Sequence, residues 1–299
     1  MSLVQLDVMY GHLEGTEGRF ARDPSGYLSI EAGIFRKHGL DVSWIHVQGT
    51  EERYRRLESA KAQLSLVVGR ASLQHFLDSR TTRILGCAMN CCPYYLVVER
   101  SIRALKDLKG KVIACREAPS RNAPIAEIFE ERAQLRLGED FKLQLSNGDQ
   151  DAFALLIQGK VQAALLPRPF GFWAEEKGFR RITDWPAAVD DPLPITIETT
   201  QRLLSERGKE FEAFLAAHRE GLHYLKAHRT ETIRMLEKRF GHSPTFAAKT
   251  FDDYLVCMDD QLKVDFNQLE KLLAQVAPAP RGGARQVASE WIVAGAVRG

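Results

Sequence analysis

The chain alternates between short segments with a two-residue apolar period and longer segments whose apolar residues have helical spacing. The short segments predict strands at QLDVMYG, LDVSWIHV, QLSLVV, RILGCAMN, YYLVVE, KVIAC, FKLQLS and VQAALLP. A fully apolar strand such as QLSLVV is typical of a parallel sheet that is covered on both faces. Strand and helix repeat up to about residue 185, and from Thr199 the pattern predicts mostly helices. We therefore expect an α/β protein.

Capping residues locate several of the predicted helices. Asp23 followed by Pro24 predicts a helix start, and this helix is expected to run to His38, where Gly39 supplies a left-handed stop. Thr50 is expected to cap the next helix, which has acidic residues in its first turn. Further helices are predicted from about Ala123 to Leu137 and from Asp149 to Gln158.

A strand–helix–strand unit occurs twice in the sequence. The segment from Gly39 aligns without a gap with the segment from Gly138, at an offset of 99 residues. The identical pairs are Gly39/Gly138, Asp41/Asp140, Gly49/Gly148, Leu57/Leu156, Lys61/Lys160, Gln63/Gln162 and Leu66/Leu165. The alignment predicts two similarly built lobes, each with a glycine and a polar residue at the same turn: Gly49–Thr50 and Gly148–Asp149.

Two segments, near residues 88–93 and 187–195, are predicted to connect the lobes. Extended backbone is favoured by four prolines: Pro169, Pro186, Pro192 and Pro194. We predict the first part of lobe I at residues 1–90, lobe II at 91–190, and the mostly helical second part of lobe I at 191–299. Two such crossings are expected to form a hinge.

Composition narrows the class of protein. Of the 299 residues, 44% are hydrophobic and 27% charged, enough for one large core or two medium ones. The 41 basic and 39 acidic residues are well mixed and give a net charge of +2, so we expect no nucleic-acid partner. No apolar run approaches the roughly 20 residues of a transmembrane segment. We expect a periplasmic protein if an export signal has been removed ahead of this sequence, and a cytoplasmic one otherwise.

Reactive residue types form no recognisable catalytic or metal-binding motif. Five cysteines without a CxxC pair argue against a disulfide framework. The adjacent Cys91 and Cys92 are either reactive thiols or, more simply, small buried apolar residues. The nucleophile-elbow, zinc-protease, P-loop and dinucleotide-binding motifs are absent from the sequence. We therefore predict no catalytic residue, no metal site and no cofactor.

Candidate ligand-binding residues follow the predicted strands, because α/β proteins hold small molecules at the carboxyl edges of their sheets. In lobe I the candidates are Gly11, His12, Gly49, Thr50, Gly69, Arg70, Ser72 and Asn90. In lobe II they are Glu117, Ser120, Arg121, Asn122, Arg168 and Phe170.

These candidates favour an anionic ligand. Backbone N–H groups at the Gly49–Thr50 turn can hold an anion without a basic side chain. Arg70 and Arg168 lie within one residue of equivalence across the repeat, although each is also compatible with a solvated surface charge. Glu117 and Asp149 favour an amine instead. Aromatic residues near the strand ends line either a pocket or the core: Tyr94, Tyr95, Phe170, Phe172 and Trp173.

Three segments together resemble a known family. They are SGYLSIEAGIFRKHGLDV, SIRALKDLKGKVIA and LLIQGKVQAALLPRPFGFWAEEKG, the last with Gln162 where the family usually has aspartate. In this order, over roughly residues 5–240, they resemble the nitrate, sulfonate and taurine substrate-binding proteins of ABC transporters and the related thiamine-pyrimidine group. The resemblance implies a type II periplasmic-binding-protein fold, with two α/β lobes joined by two crossover segments.

The resemblance also implies a function. The protein is expected to capture a small, anionic organic molecule, such as a sulfonate or carboxylate, in a cleft between the lobes. Its expected partner is an ABC permease, and the chain is expected to be a monomer. The alternative is a thiamine-pyrimidine-related enzyme or a ligand sensor on the same fold. NCCPYY has two cysteines where that enzymatic branch carries a longer cysteine-rich run.

Overall fold

The chain forms two compact units, one from Met1–Cys91 with Pro192–Gly299 and the other from Cys92–Asp191. The computed structural model describes residues 2–10, 20, 23–47, 49–67, 69–117, 119–183, 185, 190–277 and 283–298. For residues 119–124, 190–191 and 298 it describes the backbone alone.

The strands and helices are numbered along the chain. The strands are β1 (Val4–Tyr10), β2 (Leu40–His46), β3 (Leu64–Val67), β4 (Thr82–Pro93), β5 (Tyr95–Val98), β6 (Val112–Arg116), β7 (Lys142–Ser146), β8 (Ala163–Leu166), β9 (Arg180–Arg181), β10 (Asp190–Thr200), β11 (Val264–Asp265) and β12 (Val297–Arg298). The helices are α1 (Ser25–Glu31), α2 (Ile34–Lys37), α3 (Thr50–Glu58), α4 (Gly69–Ser79), α5 (Pro119–Ala133), α6 (Asp149–Ile157), α7 (Phe170–Glu176), α8 (Gln201–Ala227), α9 (Arg229–Phe240), α10 (Pro244–Cys257), α11 (Phe266–Val276) and α12 (Gly283–Trp291).

Each unit is built on its own five-stranded sheet. The first has the order β2-β1-β3-β10-β4 and the second the order β7-β6-β8-β5-β9. In the first sheet β1 is parallel to β2 and β3, and β10 is antiparallel to β3. In the second, β6 is parallel to β7 and β8, and β5 is antiparallel to β8. The expected parallel sheets are therefore mixed, because β5 and β10 run against their neighbours.

The internal repeat corresponds to matching elements. Both ends of α6 lie 99 residues after the ends of α3, and β8 has the same offset from β3. Hydrophobic packing is also divided between the units. Buried apolar residues from Tyr94 to Trp185 form one cluster within the second unit, and α1, α8, α9 and α10 contribute to a large cluster in the first.

Four local predictions are wrong. The helix expected from Asp23 to His38 is two helices, because Gly33 takes a left-handed φ of 70° between them. Helix α5 begins and ends about four residues earlier than expected. Pro169 has helical backbone angles and precedes α7 instead of lying in extended chain. Thr50 is the first residue of α3, and the cap position is Gly49.

Helices in the described part of the chain are all too short or too polar to cross a lipid bilayer.

Candidate functional site

Helix α3 begins at an exposed glycine turn that follows β2. Gly49 has φ 82° and ψ 139°, which L side chains rarely adopt, and no atom of the described residues lies within 4 Å of where its Cβ would be. Among the described residues no side chain caps this helix, whose first N–H groups have no partner within the helix itself. Glu51 and Glu52 place negative charge in the same turn. The turn has room for a ligand group but presents both donors and acids.

Helix α4 begins at a second glycine turn, where β10 passes close by. A Cβ on Gly69 would lie 2.7 Å from both the Cβ and the carbonyl oxygen of Leu193, so only glycine fits without a shift. The next residue, Arg70, is half-buried and donates from Nη2 to Gln275 Oε1 at 3.3 Å. Arg70 is thus placed at the carboxyl end of β3, as predicted, and contacts helix α11.

Ser72 lies in the interior of the first unit. Its side chain is fully buried, and its hydroxyl donates to Glu198 Oε2 at 2.6 Å. Tyr54 donates to the same oxygen at 3.3 Å. Burial raises the pKa of Glu198 to about 7, against the opposing effect of the hydrogen bonds from Ser72 and Tyr54. Ser72, predicted as a ligand contact, donates its hydroxyl within this buried network.

Four aromatic rings meet where β1 and β2 end. The ring centroid of Tyr10 is 5.5 Å from that of Tyr27, 5.8 Å from Trp44 and 5.6 Å from His46. Burial, followed by the hydrogen bond with Tyr10, raises the pKa of Tyr27 above its usual range. The sequence prediction missed this cluster. The cluster depends on the register of β1 and β2, which pairs Tyr10 with His46 and Val8 with Trp44.

In the second unit, Asp149 is held at the start of α6, after the carboxyl end of β7. Tyr94 donates to Asp149 Oδ2 at 3.1 Å, and Arg116 Nη1 lies 3.8 Å from the same oxygen. Ser146 Oγ is 2.9 Å from the carbonyl oxygen of Gly148 and fixes the preceding turn. Asp149 is only 8% exposed. This strand edge therefore carries a buried carboxylate, Asp149, beside the guanidinium of Arg116. From the sequence, Asp149 was expected to favour an amine, and the neighbouring guanidinium was not predicted.

Arg168 and Phe170 follow β8 as predicted, but both are buried. Arg168 is 3% exposed, a low value for a charged side chain. The Phe170 ring lies 5.6 Å from that of Phe153 and 5.5 Å from that of Trp173. Phe170 is therefore part of an aromatic core, and Tyr94 and Phe172 are buried as well.

The remaining candidates of the second unit lie after β6. Glu117 is exposed, and its backbone N–H donates to the Ser146 carbonyl oxygen at 2.8 Å. Ser120, Arg121 and Asn122 are in the first turns of α5, with their backbone alone described.

The last candidates of the first unit are Asn90, Gly11 and His12. The Asn90 amide donates to Asp259 Oδ2 at 3.1 Å and to the Lys263 carbonyl at 2.8 Å, and its Oδ1 accepts from the Asp265 N–H at 2.8 Å. Asn90 thus joins β4 to the chain ahead of α11. Gly11 and His12 lie outside the described residues.

A serine, an aspartate and a histidine meet at the start of α1 in the first unit. His218 Nε2 is 2.9 Å from Asp23 Oδ2 and 3.3 Å from Ser25 Oγ, and all three side chains are buried. In a Ser-His-Asp catalytic triad the serine and the aspartate contact opposite ring nitrogens. Here both approach Nε2, so the histidine cannot relay a proton between them. The cluster is a structural link between α1 and α8.

Metal binding finds no support in the described part of the chain, where no three His, Cys, Asp or Glu side chains are grouped to hold an ion. All five cysteines are free thiols, and Cys87, Cys115 and Cys257 are buried.

Solved structures with the same fold include periplasmic binding proteins. The periplasmic aliphatic sulphonate binding protein SsuA of Escherichia coli is 19% identical, with a TM-score of 0.60 over 84% of each chain. The alkanesulfonate-binding protein SsuA of Xanthomonas axonopodis pv. citri, bound to MOPS, is 15% identical, with a TM-score of 0.62 over 100% of this chain and 99% of that one. The nitrate-binding protein NrtA of Synechocystis PCC 6803 is 12% identical, with a TM-score of 0.65 over 97% and 86%.

At these identities the likeness establishes the fold, and it confirms the predicted type II periplasmic-binding-protein class. No curated protein matches the chain in sequence. The family described as NMT1/THI5 like matches residues 25–232, which is more than half of the chain. The protein therefore belongs to the NMT1/THI5-like family.

Proposed function

We propose that the protein is a solute-binding protein that captures a small organic molecule for an ABC importer. The observation that carries this proposal is the membership in the NMT1/THI5-like family together with the fold of sulfonate- and nitrate-binding proteins. The repeated strand–helix–strand unit gives each half of the molecule an equivalent glycine turn at a strand end, a common position for small-molecule binding. The proposal includes a periplasmic location, a permease partner and a monomeric chain.

We propose an anionic group on the ligand, such as a sulfonate or carboxylate. Support comes from the uncapped start of α3 at Gly49 and from Arg70 in the first turn of α4. Both features lie at the carboxyl ends of parallel strands of the first sheet, β2 and β3, which flank β1. The backbone at the start of α5, near Ser120–Asn122, is the proposed counterpart in the second unit.

Binding without chemical change is part of the same proposal. The Asp23, Ser25 and His218 cluster has the residue types of a hydrolase, but its geometry lacks the relay that such a reaction needs. Cys91 and Cys92 are half-buried, and no nucleophile–base pair is proposed for them.

Native mass spectrometry of protein purified from cells, followed by a thermal-shift screen, tests the proposed function. The screen compares alkanesulfonates, aromatic carboxylates and pyrimidines at equal concentration. We expect a retained small molecule or a raised melting temperature with an anionic compound. A strong shift with a neutral or cationic compound alone would contradict the anion proposal. No shift with any class and no retained molecule would contradict the binding function itself.

A further inference from the structure

Glu198 is a fully buried carboxyl group in the middle of the first sheet. It lies on β10 opposite Ser65 of β3, two residues behind the position where β3 ends, and it is 0% exposed. Helices α3 and α4 both contribute side chains that reach it. It is not part of either glycine turn, and the proposed function does not use it.

The two hydrogen bonds to Glu198 come from the first two turns of these helices. Ser72, in the first turn of α4, donates to Oε2 at 2.6 Å, and Tyr54, early in α3, donates to the same oxygen at 3.3 Å. Thr82, at the start of β4, has a hydroxyl group close enough to lower the pKa of the Glu198 carboxyl group. Glu198 Oε1 has no hydrogen-bond partner among the described residues. One carboxyl group thus connects both helix starts to the strands beneath them.

The charged groups around Glu198 do not compensate its burial. Arg53 is the nearby cation, and its Nη1 donates to the carbonyl oxygen of Leu66 at 3.3 Å. The His75 ring stacks on the Tyr54 ring, and their centroids are 3.5 Å apart. Two carboxylates, Glu58 and Asp78, act on that histidine. A charged Glu198 would therefore be a fully buried anion held by hydroxyl donors, with Arg53 the weakest of the named influences on its pKa, which is costly.

We propose that Glu198 is a neutral carboxylic acid in the folded protein and acts as a proton-operated latch between β10 and the starts of α3 and α4. Burial, which raises the pKa of Glu198 to about 7, agrees with this geometry. The latch lies directly behind the helix starts at Gly49 and Gly69. It concerns folding and packing, so it stands or fails independently of the proposed ligand.

The direction of the pH effect follows from linkage. The folded-state pKa lies above the ordinary value of 4.5, so the unfolded chain releases this proton first as the pH rises. The protonated Glu198 contributes its full stabilisation below about pH 4.5. Between about pH 4.5 and pH 7 the folding equilibrium constant falls about tenfold per pH unit. Burial lowers the pKa of His75, so the contribution of this histidine to stability is lost as the pH falls, whereas that of Glu198 is lost as the pH rises.

The test compares unfolding constants of the wild type and Glu198→Gln from about pH 5 to pH 8 by urea denaturation. His75 is present in both proteins, so its contribution cancels in the ratio. We expect the wild-type unfolding constant to rise relative to that of E198Q by on the order of fiftyfold over this range. Exposed Glu212→Gln is the matched control, and its ratio to wild type should not change with pH. A pH-independent ratio for E198Q would overturn the proposal.

Two further measurements assign the pH effect to Glu198 and to the helix starts. Carbon-detected NMR of the wild-type glutamate carboxyl groups, assigned by loss of one signal in E198Q, should show Glu198 titrating near pH 7. If E198Q does not fold, Ser72→Ala permits the same assignment through a shifted signal. Hydrogen exchange at pH 8 should be faster in the wild type than in E198Q for the first turns of α3 and α4. A Glu198 pKa below about 5, or equal exchange in both proteins, would overturn the latch.

Discussion

The pair formed by Asp23 and His218 is the clearest case of a buried charge with a compensating partner. His218 is 0% and Asp23 5% exposed, and Nε2 lies 2.9 Å from Oδ2. Asp23 Oδ1 also accepts from the N–H of Ser25 at 2.8 Å, which fixes the start of α1. Burial alone would raise the pKa of Asp23, but the charge of His218 and the hydrogen bonds from His218 and Ser25 lower it.

Replacing Asp23 with Asn should destabilise the protein by about 3 kcal/mol at neutral pH, because it removes the carboxylate that the buried His218 ring and Ser25 contact. Since the folded-state pKa of Asp23 is lowered, its contribution is present above the ordinary value of 3.8 and is lost as the pH falls through the folded-state pKa. The gap between wild type and Asp23→Asn should therefore narrow in acid. Urea denaturation at about pH 7 and pH 3 measures it.

Glu220→Gln provides the surface control for that variant. Glu220 pairs with Lys37 and His38, but its side chain is 35% exposed, so its loss should cost less than about 1 kcal/mol. Equal costs for the two variants would contradict the assigned role of the buried pair.

Arg70 is the side chain on which the anion proposal can be tested most cleanly. Arg70→Ala should weaken an anionic ligand by about tenfold or more, if the guanidinium makes a charged hydrogen bond worth about 1.5 kcal/mol. Isothermal titration measures the affinity, and Arg36→Ala, whose side chain is 72% exposed, is the control. Unchanged affinity in Arg70→Ala would remove this residue from the site. Arg168→Ala is less informative, because Arg168 is buried and its loss also affects packing.

At the scale of single residues, sequence predicted positions better than contacts. Gly49, Gly69, Arg70 and Arg168 lie at strand ends, as the pattern indicated. The pattern could not show that Ser72 points to Glu198, because the partners are 126 residues apart and meet only through the sheet order. Burial of Arg168 was equally hidden, since it depends on what packs around the strand end.

Among the helices, α1 packs unusually closely on its neighbours because small residues face them. A Cβ on Gly26 would lie 2.3 Å from two atoms of the Trp44 indole. A Cβ on Gly221 of α8 would lie 1.9 Å from Ser29 Oγ. Glycine therefore sets the distance of α1 from both β2 and α8.

Gly26→Ala should destabilise the protein by about 1–3 kcal/mol, since a rigid indole ring must move to admit the methyl group. The matched change is Gly208→Ala in α8, where no atom lies within 4 Å of the added Cβ. That control should change the free energy of unfolding by less than about 0.5 kcal/mol, because the methyl group meets no described atom beside the break in α8 at Arg207. Thermal or urea unfolding measures both, and a neutral Gly26→Ala would contradict the close packing of α1 on Trp44.

Element types and order could be predicted from periodicity, whereas strand direction and some boundaries could not. The repeat predicted α6 and β8 from α3 and β3, because equal turns and apolar spacing give equal elements. The break at Gly33 was missed because a helical apolar pattern continues across it. The antiparallel β5 and β10 were missed because a buried strand reads the same in either direction.

For the whole molecule, charges of both signs are nearly balanced and the hydrophobic core is divided between the two units. The net charge is +2, and the buried apolar cluster from Tyr94 to Trp185 belongs wholly to the second unit. The proposed function depends more on family membership than on any single residue. The fold is shared with solved structures at only 12–19% identity, because it depends on the pattern of apolar and polar positions. Ligand identity depends on a few side chains and was not predictable in this way.

Reversible binding of one small molecule without turnover is the central claim, and calorimetric titration tests it most directly. The titrant is the compound that gives the largest thermal shift in the screen, and the titrated mixture is then analysed by mass spectrometry. We predict saturable binding at one site per chain and recovery of the compound unchanged after prolonged incubation. Conversion of the compound into a product, or the absence of saturable binding for every compound that shifts the melting temperature, would contradict the account.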